Sequence, residues 1–71
     1  MESLYMMWFD DSAKKTPSAK IEEAVAAYRA HFGTSPNVAL VNADEVCEAA
    51  GVTVRAASYV RKANYWIGYE Q

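Results

Sequence analysis

Two aspartates stand side by side at Asp10–Asp11, and a second acidic pair, Asp44–Glu45, follows the uncharged run Asn37–Val41. Carboxylates carried to one edge of a sheet would supply the oxygen ligands that Mg²⁺ or Ca²⁺ take. A small carboxylate–metal enzyme built this way would use Asp10, Asp11 and Asp44. The competing account is that Asp44 and Glu45 complement a helix N-terminus while the aspartate pair opens a solvated loop. No D-x-D spacing or EF-hand loop accompanies the carboxylates. The loop account is therefore the stronger, no metal ligand is assigned, and no cofactor is expected. Lys14 and Lys15 lie near the same edge, and helix N-termini attract phosphate, but there is no glycine-rich loop and the carboxylates would repel an anion. His31, in the last turn of a helix, suits the helix dipole, and Cys47 sits on an apolar stripe, where a buried thiol is inert. Glu22 and Glu23 are neighbours on a helix and diverge by about 100°, which makes them a solvated face. No catalytic residue is assigned.

The richest chemistry lies near the C-terminus, in VRAASYVRKANYWIG. Arg55, Arg61 and Lys62 are interleaved with Tyr59, Tyr65 and Trp66. Aromatic rings stack bases while Arg and Lys neutralise phosphates, and this is how single-stranded nucleic acid is gripped. Tyr, Trp and Arg are also the types enriched at the hot spots of protein interfaces. Plain packing of Tyr65 or Trp66 into a core accounts for part of the pattern. The candidate binding residues are Trp8, Arg55, Tyr59, Arg61, Lys62 and Trp66.

These residues need elements to hold them. Leu4 to Phe9 is continuously apolar and reads as a strand. Leu4, Met6 and Trp8 alternate with Tyr5, Met7 and Phe9, so both faces are apolar, which describes a central strand covered on both sides. Thr16 reads as an N-cap with Pro17 at the first helical position. The helix PSAKIEEAVAAYRAHF follows, with Ile21, Val25, Tyr28 and Phe32 on one face beside Ala24, and Lys20, Glu22, Glu23 and Arg29 on the wetter side. Gly33 ends it and Pro36 prevents continuation. Asn37–Val41 is a second strand. N-A-D-E at 42–45 has the form of a capping box and predicts a short helix over about 43–50, ended by Gly51. Val52–Arg55 alternates like a strand with one wet face, residues 56–63 are ambiguous, and Asn64–Glu70 is a closing strand.

The predicted architecture is α+β: a small mixed sheet of about four strands in the order β-α-β-α-β-β, with the helices mainly on one face. A crossover would make strands one and two parallel. The third strand is open to either direction, and a hairpin-like return joins it to the fourth. Two short helices cover one face of such a sheet. The second apolar face of strand one needs either residues 56–64, with Tyr59 and Val60, or another molecule; a large exposed apolar patch on a monomer marks an interface.

The whole chain bounds these readings. At 71 residues it is a single domain spanning 1–71, with 52% hydrophobic and 23% charged residues. A domain this small keeps only about 3–5 kcal/mol of net stability from one core. One cysteine allows no internal disulfide, and one histidine with one cysteine does not make a structural zinc site. Oligomerisation is the support left. No apolar run approaches the roughly 20 residues of a membrane span, Glu2 and the lack of a basic segment argue against a signal peptide, and a lone cysteine suits a reducing cytoplasm. Net charge is −2, divided as −4 over residues 1–50 and +2 over 51–71. That is far from the basic surface of a dedicated nucleic-acid binder.

The ordered set W-F-D-D (8–11), Y-x-x-x-F-G-x-x-P-N (28–37) and N-Y-W-I-G (64–68) resembles short uncharacterised bacterial proteins that share these motifs. The resemblance implies a discrete stand-alone domain and transfers no chemistry. The leading expectation is a non-enzymatic protein-interaction module of bacterial or phage origin, self-associating as a homodimer or binding a protein partner through the sheet face and the C-terminal aromatic strand. A single-stranded nucleic-acid binder is the first alternative.

Overall fold

The structure is a computed structural model and describes residues 5–70. Leu4, expected to begin the first strand, lies outside the described residues. Five-residue strand β1, Tyr5–Phe9, comes first. Helix α1, Pro17–Phe32, begins and ends on the predicted signals: the Thr16 hydroxyl accepts the Ala19 N–H, Pro17 takes the first turn, and Gly33 closes the helix in the left-handed conformation (φ 73°) with its N–H on the Arg29 carbonyl. Strands β2, Val38–Val41, β3, Thr53–Ala56, and β4, Asn64–Gly68, complete a four-stranded sheet ordered β1-β4-β2-β3.

β4 runs antiparallel to both β1 and β2, so those two strands are parallel but not neighbours. β3 pairs parallel to β2. The sheet is mixed, as expected, but the strand order corrects two expectations. β1 is an edge strand, not a central one, because the returning β4 takes the place beside β2. β4 also makes no hairpin with β3, and crosses instead to the middle of the sheet.

The second helix predicted over 43–50 is a single 3₁₀ turn, Ala43–Glu45. The capping-box pattern is only half realised: the Asn42 carboxamide oxygen accepts the Asp44 N–H, while the Glu45 carboxylate reaches the Ala63 N–H and the Tyr65 hydroxyl instead of turning back to Asn42. A helix of eight residues is marginal without tertiary support, and Glu45 is pulled elsewhere. The element order is therefore strand, helix, strand, 3₁₀ turn, strand, strand.

One face of the sheet carries the main core. Ile21, Ala24, Val25 and Tyr28 of α1 pack with Ala39, Val41, Tyr65 and Ile67, and Met6 and Trp8 border the cluster. Lys20, assigned to the wetter side of α1, is buried. Phe32, assigned to the packing face, is half exposed and stacks on Tyr28 with centroids 4.6 Å apart. On the other face, Val38 and Leu40 are buried under Val60, with Tyr5, Ala57 and Trp66 around them. The segment between β3 and β4 thus covers the β2 part of this face, and the Asn42 carboxamide fixes it by donating to the Val60 carbonyl at 3.0 Å.

Candidate functional site

Strand alternation decides which residues share the second face. Facing pairs Met7–Trp66 and Tyr5–Gly68 put Tyr5, Met7, Phe9 and Trp66 on one side, together with Arg55 through its register with Leu40. The segment over 57–63 protects Val38 and Leu40 but leaves the Met7 and Phe9 side chains of β1 uncovered. Met7 is 69% exposed and Phe9 64%. Tyr59 is 62% exposed and lies on Trp66, centroids 5.1 Å apart and planes at 53°; Tyr5 is also near Trp66, centroids 6.3 Å apart. Such tilted aromatic pairs add about 0.5–1.5 kcal/mol beyond their buried area. Met7, Tyr59, Arg61, Asn64 and Trp66 line a shallow cleft of ≈ 180 Å³.

At the far end of this face Glu70 joins the strands. Its Oε2 accepts the Tyr5 hydroxyl and the Arg55 Nη2 at 2.7 Å. The Asn37 side chain holds the Glu70 backbone from both sides, accepting its N–H at 2.8 Å and donating to its carbonyl at 2.7 Å. The Arg55 guanidinium, then the Tyr5 hydroxyl, hold the Glu70 carboxyl below the usual carboxylate range. In return the hydrogen bond to Glu70 pushes the Tyr5 phenol up to about 12.

Of the expected site residues, Arg55, Tyr59, Arg61 and Trp66 come together on this face. Two do not. Trp8 is an even-numbered residue of β1 and packs on the helix side, where its indole Nε1 is buried without a partner among the described residues. Lys62 turns toward the opposite end and pairs with Asp44 at 3.2 Å. The residues that the sequence reading left out of the site are Tyr5, Met7 and Phe9. Their period-two pattern was visible, but a strand apolar on both faces does not say which face stays open.

The acidic residues are dispersed among separate partners. Asp10 accepts the Ser12 N–H, which is the main reason its carboxyl lies below the usual range, and Lys15 stands 3.6 Å away. Asp44 pairs with Lys62. Among the described residues no group of three or more His, Cys, Asp or Glu could hold a metal ion. Burial, then the Glu45 carboxylate, push the Cys47 thiol up, and His31 lies edge-on to Phe32. No family model, curated protein or solved structure matches the chain.

The two hydrogen-bonded phenols give a pH prediction. Tyr65 is fully buried, and burial followed by its bond to Glu45 raises its phenol above the ordinary tyrosine value, as Glu70 raises that of Tyr5. A phenol whose value is raised by folding stabilises the fold fully below the unfolded value of about 10. That contribution is lost as pH rises toward the folded value. Stability should accordingly be level up to the ordinary tyrosine range and fall between there and about pH 12. Phenolate absorbance should show Tyr5 and Tyr65 ionising late and together with loss of circular dichroism. Complete titration near the ordinary value with the fold intact would contradict both bonds.

Proposed function

We propose that the chain is a non-enzymatic protein-interaction module whose contact surface is the open sheet face of β1 and β4 with the Tyr59 segment. The observation that supports this reading most is the exposure of Met7 and Phe9 beside the Tyr59–Trp66 pair. Side chains of this size left in water next to an aromatic cluster are the composition of an interface core, with Arg61 and Arg55 at the rim. The neighbouring sheet surface, at Val38 and Leu40, has its own cover, so the bare part is confined to one side of the face. A reducing, cytoplasmic setting suits its single thiol.

A peptide library displayed on phage and panned on the folded protein tests the reading. Selected binders are expected to lose at least tenfold in affinity, about 1.4 kcal/mol, for Phe9→Lys and Trp66→Ala. Binders indifferent to both substitutions would move the contact surface elsewhere.

A second reading rests on Arg61, which lines the same cleft as Tyr59 and Trp66. Base stacking on the rings with a phosphate on Arg61 would make the face a single-strand binder. That reading requires affinity for an oligonucleotide that falls steeply with salt and with Arg61→Ala, whereas protein contact through Phe9 and Met7 does not.

A further inference from the structure

The two edges of the sheet differ. β3 is four residues long and carries Arg55, a charge of the kind that keeps an edge from pairing. β1 has five residues, YMMWF, with no charge, no proline and no glycine, and among the described residues nothing pairs with its outer edge. The ladder shows which backbone groups face outward. The Asp10 N–H donates to the Ala63 carbonyl at 2.9 Å, one step beyond the facing pair Phe9–Asn64. Antiparallel pairs alternate between hydrogen-bonded and non-bonded. Met6, Trp8 and Asp10 therefore turn their N–H and C=O toward β4, and Tyr5, Met7 and Phe9 turn theirs away from the sheet.

We infer that this edge pairs with β1 of a second copy of the chain, antiparallel, about a two-fold axis at Met7. The inference rests on reading the β1 side of the sheet as an interface and places a second copy at its edge, which extends the open Met7–Phe9 face instead of covering it. The outward groups fall at residues 5, 7 and 9, which are symmetric about 7. Met7 then faces Met7 of the second copy and Tyr5 faces Phe9, and each facing pair exchanges two backbone hydrogen bonds. All the outward donors and acceptors of β1 are used. Because β1 is uncharged, no like charges meet across the new ladder. The exposed side chains of Met7 and Phe9 join those of the second copy in one apolar stripe on the open face of a continuous eight-stranded sheet. A strand of some other protein would need its own matching edge; a second copy has it by symmetry.

Light scattering of the full chain across micromolar to millimolar concentration tests this, with a dimer of twice 7.9 kDa expected. Met7→Pro removes the outward N–H while the β1–β4 bonds, made by Met6 and Trp8, remain, so the variant should be a folded monomer by circular dichroism; Met7→Val keeps the N–H and should stay dimeric. In a Cys47→Ser background, a short thiol–thiol cross-linker should join Met7→Cys chains to each other and leave Thr53→Cys chains, altered on the opposite edge, unjoined. A monomer at every concentration overturns the inference and leaves the peptide-binding reading to its own test. A dimer that survives Met7→Pro but is lost in Trp66→Ala overturns edge pairing and assigns the second copy to the open face. Cross-linking through Thr53→Cys overturns it in favour of β3.

Discussion

Replacing Glu45 with alanine is expected to lower stability by about 3 kcal/mol, from the loss of two hydrogen bonds to a charged group at roughly 1.5–3 kcal/mol each. Glu45 looks like half of an acidic pair on a solvated turn. In the fold its two carboxylate oxygens tie the 3₁₀ turn to the start of β4, about twenty residues later. Oε1 accepts the hydroxyl of Tyr65, which is fully buried in the middle strand, and Oε2 accepts the Ala63 N–H at 2.8 Å. Ala63 holds the left-handed conformation (φ 67°) that a residue with a Cβ adopts at a cost of about 1–2 kcal/mol. Its carbonyl in turn accepts the Asp10 N–H. Removing the carboxylate strands the Tyr65 hydroxyl and frees the strained turn that aims β4 into the sheet. In a domain of this size a loss of about 3 kcal/mol lowers the melting temperature by roughly 12–24 °C. Calorimetry or thermal circular dichroism reads it; a shift below about 4 °C would mean that Glu45 is only a surface acid. Glu45→Gln, which keeps one acceptor oxygen, should fall between the two.

Ile67→Ala should have a comparable or larger effect. Ile67 has no exposed surface and lies in the cluster where α1 meets β2 and β4. Truncating a buried isoleucine to alanine costs about 2–5 kcal/mol, the upper part of the range applying where neighbours do not collapse into the space. Here the neighbours belong to the sheet and to α1, which packs against it. Against a total of about 3–5 kcal/mol, the substitution should leave a large unfolded fraction at 25 °C, measured by urea titration and by the loss of dispersed amide resonances. A loss under about 1 kcal/mol would show that α1 repacks freely.

The parts of this fold that local chemistry determines were legible in the sequence. Thr16, Pro17 and Gly33 each act within a few residues of their own position, and they placed both ends of α1. The apolar stripe of Ile21, Val25 and Tyr28 is likewise a local signal. What escaped were decisions made by residues far apart. The short helix expected after Asn42 was argued from a pattern of four residues, but Glu45 is engaged by Ala63 and Tyr65, about twenty positions later, and no local signal announces that. The apolar content of β1 showed a demand for cover without showing where the cover would come from. Its place at the edge follows from β4 entering between β1 and β2. Register across strands is equally invisible locally: it puts Trp8 and Trp66 on opposite faces of the sheet, and it puts Arg55 and Trp66, which are not on adjacent strands, on one face through Leu40 between them.

The central position of β4 also governs the order of events during synthesis. β1 and β2 are parallel and have no contact as neighbours until the strand between them exists. From Val41, the end of β2, to Gly68, the end of β4, is 27 residues, or on the order of one to five seconds at the rate at which chains are made. Within that interval β3 emerges and supplies a partner for one edge of β2, but β1 has none. The β2–β3 pair can form as it emerges, but β1 cannot join the sheet without β4. Closure of the sheet waits for β4 and then proceeds through contacts distant in sequence, which are slow to form, so the bare β1 edge is exposed to neighbouring chains for the longest time of any strand in the molecule.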